Sequence, residues 1–147
     1  MMNREILFRG KCIKNGAWVE GCLVRGKDYL YETEMTTIFS TDTIFYPRTE
    51  TLGYDRVISD TVGQFTGLCD KNGKKIFEDD IVVYFKAEDL DTEHAVVVFD
   101  DGKFKLKYVY GYLDDELDSV TAETLIVIGN IHDNHELAEK NRYDQDE

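Results

Sequence analysis

The chain has 147 residues, enough for one domain or two small packed ones, and its 42% hydrophobic share is sufficient for a real core. Seventeen basic residues against 30 acidic ones give a net charge of −13; a field of that sign repels phosphate backbones and anionic membranes, which argues against nucleic-acid and membrane partners. Cys12, Cys22 and Cys69 are odd in number and show no Cys-x-x-Cys spacing, which argues against a disulfide framework or a structural zinc site and points to a reducing cytoplasm.

The charge is unevenly placed. Residues 1–60 hold 8 basic and 9 acidic side chains, a net of −1, whereas residues 61–147 hold 9 and 21, a net of −12. No apolar run reaches membrane-spanning length, and Met1-Met-Asn-Arg-Glu5 lacks the apolar stretch of a secretory signal.

Along the chain, three Asn/Asp-Gly dipeptides mark hairpins, because a two-residue type I′ turn needs positive φ at both central positions. At Asn15-Gly16, such a turn sets Cys12 against Val19, Gly10 against Gly21 and Phe8 against Leu23. The other face then pairs Ile13 with Trp18 and Lys11 with Glu20, leaving an aromatic patch that marks an interface. Residues 27–59 show no period that assigns an element. A boundary near Ser59-Asp60 follows from the shift in charge.

At Asn72-Gly73 a two-residue turn sets Cys69 against Ile76 and Leu68 against Phe77. A continuous β-prone run, Ile81-Val-Val-Tyr-Phe85, comes next. At Asp101-Gly102 the predicted register is Phe99 with Phe104, Val97 with Leu106 and Ala95 with Tyr108 on one apolar face. The other face carries Asp100 with Lys103, Val98 with Lys105 and Val96 with Lys107. Residues 114–124 are too mixed to assign. Leu125-Ile-Val-Ile-Gly-Asn-Ile131 reads as a central strand, and Asp133-Asn-His-Glu136 as the cap of a short C-terminal helix. From about Arg142 the chain is expected to fray.

Few residues suggest chemistry. Asp70-Lys-Asn-Gly73 superficially resembles a calcium loop, but Gly73 falls fourth rather than sixth and the twelfth residue is Ile81. His132-x-x-His135 has no third metal ligand nearby in sequence. No cysteine adjoins a histidine, and no glycine-rich elbow surrounds a serine. The expectation is a non-enzyme with no catalytic, cofactor or metal residues. Two acidic stretches, Glu88–Glu93 and Asp114–Asp118, leave the open end of the third hairpin; they read first as solvated loops.

Four segments together resemble the YopX-type family of bacteriophages and prophages. They are Arg4-Glu-Ile-Leu-Phe-Arg-Gly10, Trp18-Val-Glu-Gly21, the block from Thr61-Val-Gly-Gln-Phe-Thr-Gly-Leu68 through Asp70-Lys-Asn-Gly-Lys-Lys-Ile76 to Val82, and Gly129-Asn-Ile-His-Asp-Asn134 with Glu136-Leu137. The central block is specific. Departures are modest; Asp79 stands where the pattern has Gly, and if that position needs positive φ, Asp tolerates it better than most residues. The resemblance implies a mostly β protein with an SH3-like barrel in its C-terminal part, set in a bacterial host cytoplasm, and it implies no biochemical activity.

The resulting expectation is a small antiparallel β region at 1–59, an SH3-like β-barrel at 60–140 ending in a short helix, and an acidic tail at 141–147. The expected function is protein interaction with an unknown partner, or with a second copy as a homo-oligomer. Gln64, Thr66, Asp70, Glu78, Asp80 and Trp18 form the candidate interaction surface, although Thr and Asp side chains among glycines also lock loops by bonding backbone N–H groups. Two other readings remain: an acidic inhibitor imitating nucleic acid, from the −12 of residues 61–147, and an RNA-binding barrel using Lys103, Lys105 and Lys107.

Overall fold

A computed structural model describes residues 5–40, 54–85, 93–110 and 114–139. The chain divides into two compact units, Met1–Phe65 and Thr66–Glu147. Both are built from antiparallel strands, as the aromatic and β-branched content leads one to expect.

In the first unit, β1 (Phe8–Lys11), β2 (Trp18–Lys27), β3 (Glu34–Phe39) and β4 (Tyr54–Arg56) lie side by side in the order β4-β3-β2-β1. The first residues of β5 (Gly63–Cys69) add to β1, pairing Gln64 with Phe8 and Gly63 with Arg9. Leu7, Cys12, Ile38, Val57 and Phe65 are buried here.

The β1–β2 hairpin differs from its expected register by two residues. Phe8 faces Gly21, Gly10 faces Val19 and Lys11 faces Trp18. The cause is a four-residue loop: the Cys12 N–H donates to the Ala17 carbonyl at 2.8 Å, leaving residues 13–16 outside the pairing. Only Gly16 in that loop has positive φ, at 71°, so the two-residue I′ turn does not form. A slip of two keeps each side chain on its own face, but it changes partners. Trp18 consequently does not sit beside Ile13. It is half-buried, with the Arg9 guanidinium 4.7 Å and the Lys11 ammonium 5.6 Å from its ring centroid.

In the second unit, the order is β10-β9-β8-β7-β11. The strands are β7 (Asp80–Tyr84), β8 (Ala95–Asp100), β9 (Lys103–Tyr108), β10 (Asp115–Glu116) and β11 (Leu125–Asn130). The β8–β9 hairpin has the expected register at all six pairs, from Ala95–Tyr108 to Asp100–Lys103. Its turn has φ of 52° at Asp101 and 75° at Gly102, the double positive φ that a type I′ turn requires. Ala95, Val97 and Leu106 on the apolar face join Ile76, Val82, Ala122, Leu125 and Val127 in one buried cluster.

The expected closed barrel is not what forms. β10 is two residues long, and β11 is an edge strand rather than a central one. The outer rail of β11 is met by a turn instead of a strand. The Lys71 N–H donates to the Leu125 carbonyl at 2.9 Å, and the Val127 N–H donates to Asp70 Oδ2 at 3.0 Å.

The expected short C-terminal helix is a 3-10 turn, His135–Ala138, with no side-chain cap. Asp133 does not cap it; its Oδ2 accepts from Asn130 Nδ2 at 3.2 Å. The single α-helical turn among the described residues is α1 (Ser119–Ala122), in the stretch that sequence left unassigned. Asp118 caps it, accepting the Thr121 N–H at 2.8 Å, and that backbone hydrogen bond holds the Asp118 carboxyl below its ordinary range. α1 carries Ala122 into the core.

Candidate interaction surface

The residues of the central block divide between backbone anchors and surface. Asp70 is 6% exposed, and it organises the turn between β5 and β6 (Lys75–Phe77). Its Oδ1 accepts the N–H groups of Asn72 and Lys74, each at 2.9 Å, while Oδ2 holds Val127. The Asp70 N–H bonds to the Lys74 carbonyl at 2.8 Å, so the loop holds three residues, 71–73, rather than the expected two. Asp80 is 1% exposed and accepts the Phe77 N–H at 2.7 Å. Thr66 Oγ1 donates to the Ile76 carbonyl at 2.8 Å and accepts from Leu68 N–H at 3.2 Å. Gln64 and Glu78 are half-buried.

Asp79 has φ of 73°, the left-handed conformation that glycine enters most freely. Its Oδ2 lies 3.0 Å from His132 Nε2, and its carbonyl accepts the Ile131 N–H at 3.0 Å. His132 is thus engaged with Asp79, whereas His135 is exposed beside Glu136 at 3.8 Å. Among the described residues, no group of three His, Cys, Asp or Glu is placed to hold a metal ion.

The acidic stretches are only partly visible: residues 88–92 lie outside the described ones, as do residues 140–147, where fraying was expected. Glu93 accepts the Tyr110 N–H at 3.3 Å. Within the other stretch, Asp115 accepts from the Tyr108 hydroxyl, which lies 2.8 Å from the Tyr84 hydroxyl over rings 6.4 Å apart. Burial, and then the hydrogen bonds to Asp115 and Tyr84, push the Tyr108 phenol well above its ordinary value of 10.0. A raised folded-state value stabilises the fold below the unfolded phenol value, and that contribution is lost as pH rises through the folded value. Urea unfolding between about pH 9 and about pH 11 is therefore expected to show a shallower alkaline loss of stability in Tyr108→Phe than in the parent.

The lysine row is partly neutralised. Lys103 Nζ lies 2.6 Å from Glu116, which raises the lysine and lowers the carboxyl from their ordinary values, and Lys105 lies 3.5 Å from Asp100. Ion pairing at two of three positions weakens the case for a phosphate-binding stripe.

The most exposed apolar group on the described surface is at the tip of the β2–β3 hairpin, which the sequence reading passed over. Tyr29 is 96% exposed, and Leu30 and Tyr31 are each 76% exposed. The tip is held in a defined shape. Asp28 Oδ1 accepts the N–H groups of Leu30 at 2.7 Å and Tyr31 at 3.2 Å. The Asp28 N–H donates to Thr33 at 2.8 Å, the Glu32 N–H returns to the Asp28 carbonyl at 3.0 Å, and Glu32 adopts φ of 52°. Asp28 thus closes an Asx-type turn that turns three large apolar side chains outward. The available signal was Asp28 followed by three apolar residues between polar flanks.

Below the tip, β2 and β3 pair Arg25 with Thr36, Gly26 with Met35 and Lys27 with Glu34. These six residues and Ser59 line an open groove of about 310 Å³. Gly26 leaves open space: a Cβ added there meets no atom within 4 Å. The Met35 thioether is contacted by Arg56 at 3.5 Å.

The mostly β architecture is what the YopX-type resemblance implies, without the closed barrel. The YopX protein family model matches residues 7–139. The chain belongs to that family. It is also similar to a solved structure, the crystal structure of protein EF1440 from Enterococcus faecalis, with 28% identity and a TM-score of 0.63 over 93% of this chain and 100% of that one. No curated protein matches the chain. Among the described residues, no helix is long and apolar enough to cross a membrane.

Proposed function

We propose that this chain is a non-enzymatic protein-interaction module of phage or prophage origin, working in the cytoplasm of a bacterial host through the Tyr29–Leu30–Tyr31 tip. The carrying observation is that three adjacent large apolar side chains stand in water on a turn whose backbone is hydrogen-bonded into shape. Burying one such side chain is worth about 1.5–3 kcal/mol, and a preset turn lowers the ordering cost of binding. Tyrosine suits such a role because it offers a broad apolar face and a hydroxyl on few rotatable bonds. The reading is also supported by Thr66, Asp70 and Asp80, whose polar atoms serve the backbone.

The test is capture by a tagged chain from lysate supplemented with untagged chain. The parent is expected to retain its occupant, whether another protein or a second copy, and Tyr29→Ser/Leu30→Ser/Tyr31→Ser is expected to lose it. Its unfolding midpoint should stay within about 0.5 kcal/mol of the parent, as for other surface changes. Identical captures by both proteins rule the tip out.

The charge of −12 in residues 61–147 supports a second reading, an acidic surface that occupies a basic, nucleic-acid-binding host protein. Such capture is expected to weaken steeply with added salt and to persist in the tip variant.

A further inference from the structure

We propose that the groove on the β2–β3 hairpin binds a small phosphate monoester that also carries hydroxyl groups, of the sugar-phosphate kind. This is a second site, and it holds or fails independently of the tip.

Alternate residues of a strand share a face, so Arg25, Lys27, Glu34 and Thr36 project from one side of the ladder. Arg25 lies opposite Thr36, and Lys27 opposite Glu34. The Val57 N–H donates to the Thr36 carbonyl at 3.0 Å, which brings the segment carrying Ser59 alongside β3. These five side chains line the open groove of about 310 Å³, a volume at the lower end of small-molecule sites. Thr36, at 9% exposed, is the most enclosed of the five. Among the described residues, no ion pair engages Arg25, Lys27 or Glu34, so both cations keep their full capacity for a ligand.

The donor set selects the ligand. A guanidinium offers a planar fork to two oxygens at once, and an ammonium adds a compact charge beside it. A phosphate monoester brings about −1.5 to −2 of charge and three acceptor oxygens, enough for both cations and the two hydroxyls. A carboxylate brings one charge and two oxygens, which the Arg25 fork alone would use up. Glu34 disfavours a bare anion, but an ionised carboxylate accepts from hydroxyl groups. It stands two residues from Thr36 on β3, about 7 Å at strand rise, within reach of a sugar whose phosphate sits by Arg25 and Thr36. Two cations against one carboxylate leave the groove net positive. It also lies in the part of the sequence, residues 1–60, that carries a net of only −1, where repulsion of a phosphate is smallest.

The experiment is titration calorimetry of the full chain at pH 7 with ribose 5-phosphate, inorganic phosphate and ribose. The ester is expected to bind with a Kd of about 0.1–1 mM, at least about tenfold tighter than either phosphate or ribose alone. Arg25→Gln and Lys27→Gln are each expected to weaken the ester by about tenfold or more, the loss of a charged hydrogen bond. Both side chains are exposed, so both variants are expected to keep the thermal midpoint of the parent. Glu34→Gln is expected to tighten inorganic phosphate and to narrow the preference for the ester. A parent that takes up no ester at about 10 mM overturns the site, as does an Arg25→Gln variant that binds like the parent. Equal affinity of the parent for ester and phosphate also overturns the proposal, because the groove is then a patch for any anion. None of these results bears on capture through Tyr29–Tyr31, which the tip variant decides by itself.

Discussion

Asp70→Asn is expected to destabilise the chain by about 2–4 kcal/mol, an unusually large effect for exchanging one atom. The carboxylate uses both oxygens at once: Oδ1 takes Asn72 and Lys74, and Oδ2 takes Val127 on β11. An asparagine can keep only one of these roles. If its carbonyl stays on the turn, its amide N–H₂ confronts the Val127 N–H, and two donors face each other in a buried place. If it flips, the turn loses two acceptor contacts instead. The measurement is the urea midpoint at pH 7, with Asp101→Asn as the control. Asp101 is exposed at a position of positive φ that asparagine also tolerates, so the control is expected to remain close to the parent. Equal midpoints for Asp70→Asn and the parent would remove Asp70 as the link between turn and strand.

Gly21→Ala is expected to cost about 3 kcal/mol or more, at or beyond the upper end of overpacking effects. A Cβ at residue 21 falls 1.8 Å from the Phe39 carbonyl oxygen and 2.7 Å from its carbon. These are backbone atoms of the paired strand, since Cys22 faces Phe39 across the β2–β3 ladder. No side-chain rotation relieves the clash, so the two strands must separate there. Trp18, the single tryptophan, lies on the same strand and reports the change through its fluorescence. Gly26→Ala, five residues along, adds its methyl to open space and is expected to leave the midpoint unchanged or slightly raised. A Gly21→Ala protein as stable as the parent would show that β2 and β3 do not approach as closely as described.

Where the sequence was legible, local chemistry and global packing agreed. The β8–β9 hairpin is the clearest case: Asp101-Gly102 admits one short turn, and a one-residue slip would bury lysines. The positive φ of Asp79 is the condition under which Asp serves there better than most residues, and the sequence posed it only as a condition. The other two turns show what a dipeptide leaves open. Asn15-Gly16 also fits a longer loop, and here the Ile13 N–H is held by the Arg56 carbonyl at 2.9 Å, a contact 43 residues distant. At Asn72-Gly73, Asp70 draws the chain into a three-residue turn because its carboxylate has a second partner on β11.

The edge position of β11 was hidden for a related reason. A strongly apolar strand reads as central, yet burial here is completed by a turn and a carboxylate rather than by another strand. The tip at Tyr29–Tyr31 was missed because exposure is not a property of residue type. Apolar residues between β-prone segments look like core until the hydrogen bonds of Asp28 turn them outward.

The Asp79–His132 contact carries one more implication. A glycine at residue 79 would enter the left-handed basin without steric penalty, but it has no carboxylate to reach the imidazole 3.0 Å away. This chain therefore trades backbone ease at the entrance of β7 for a tether on the segment that leaves β11. A glycine at residue 79 would leave that segment to be moored by other means, so the ease of the turn and the firmness of the exit from β11 are set by one side chain.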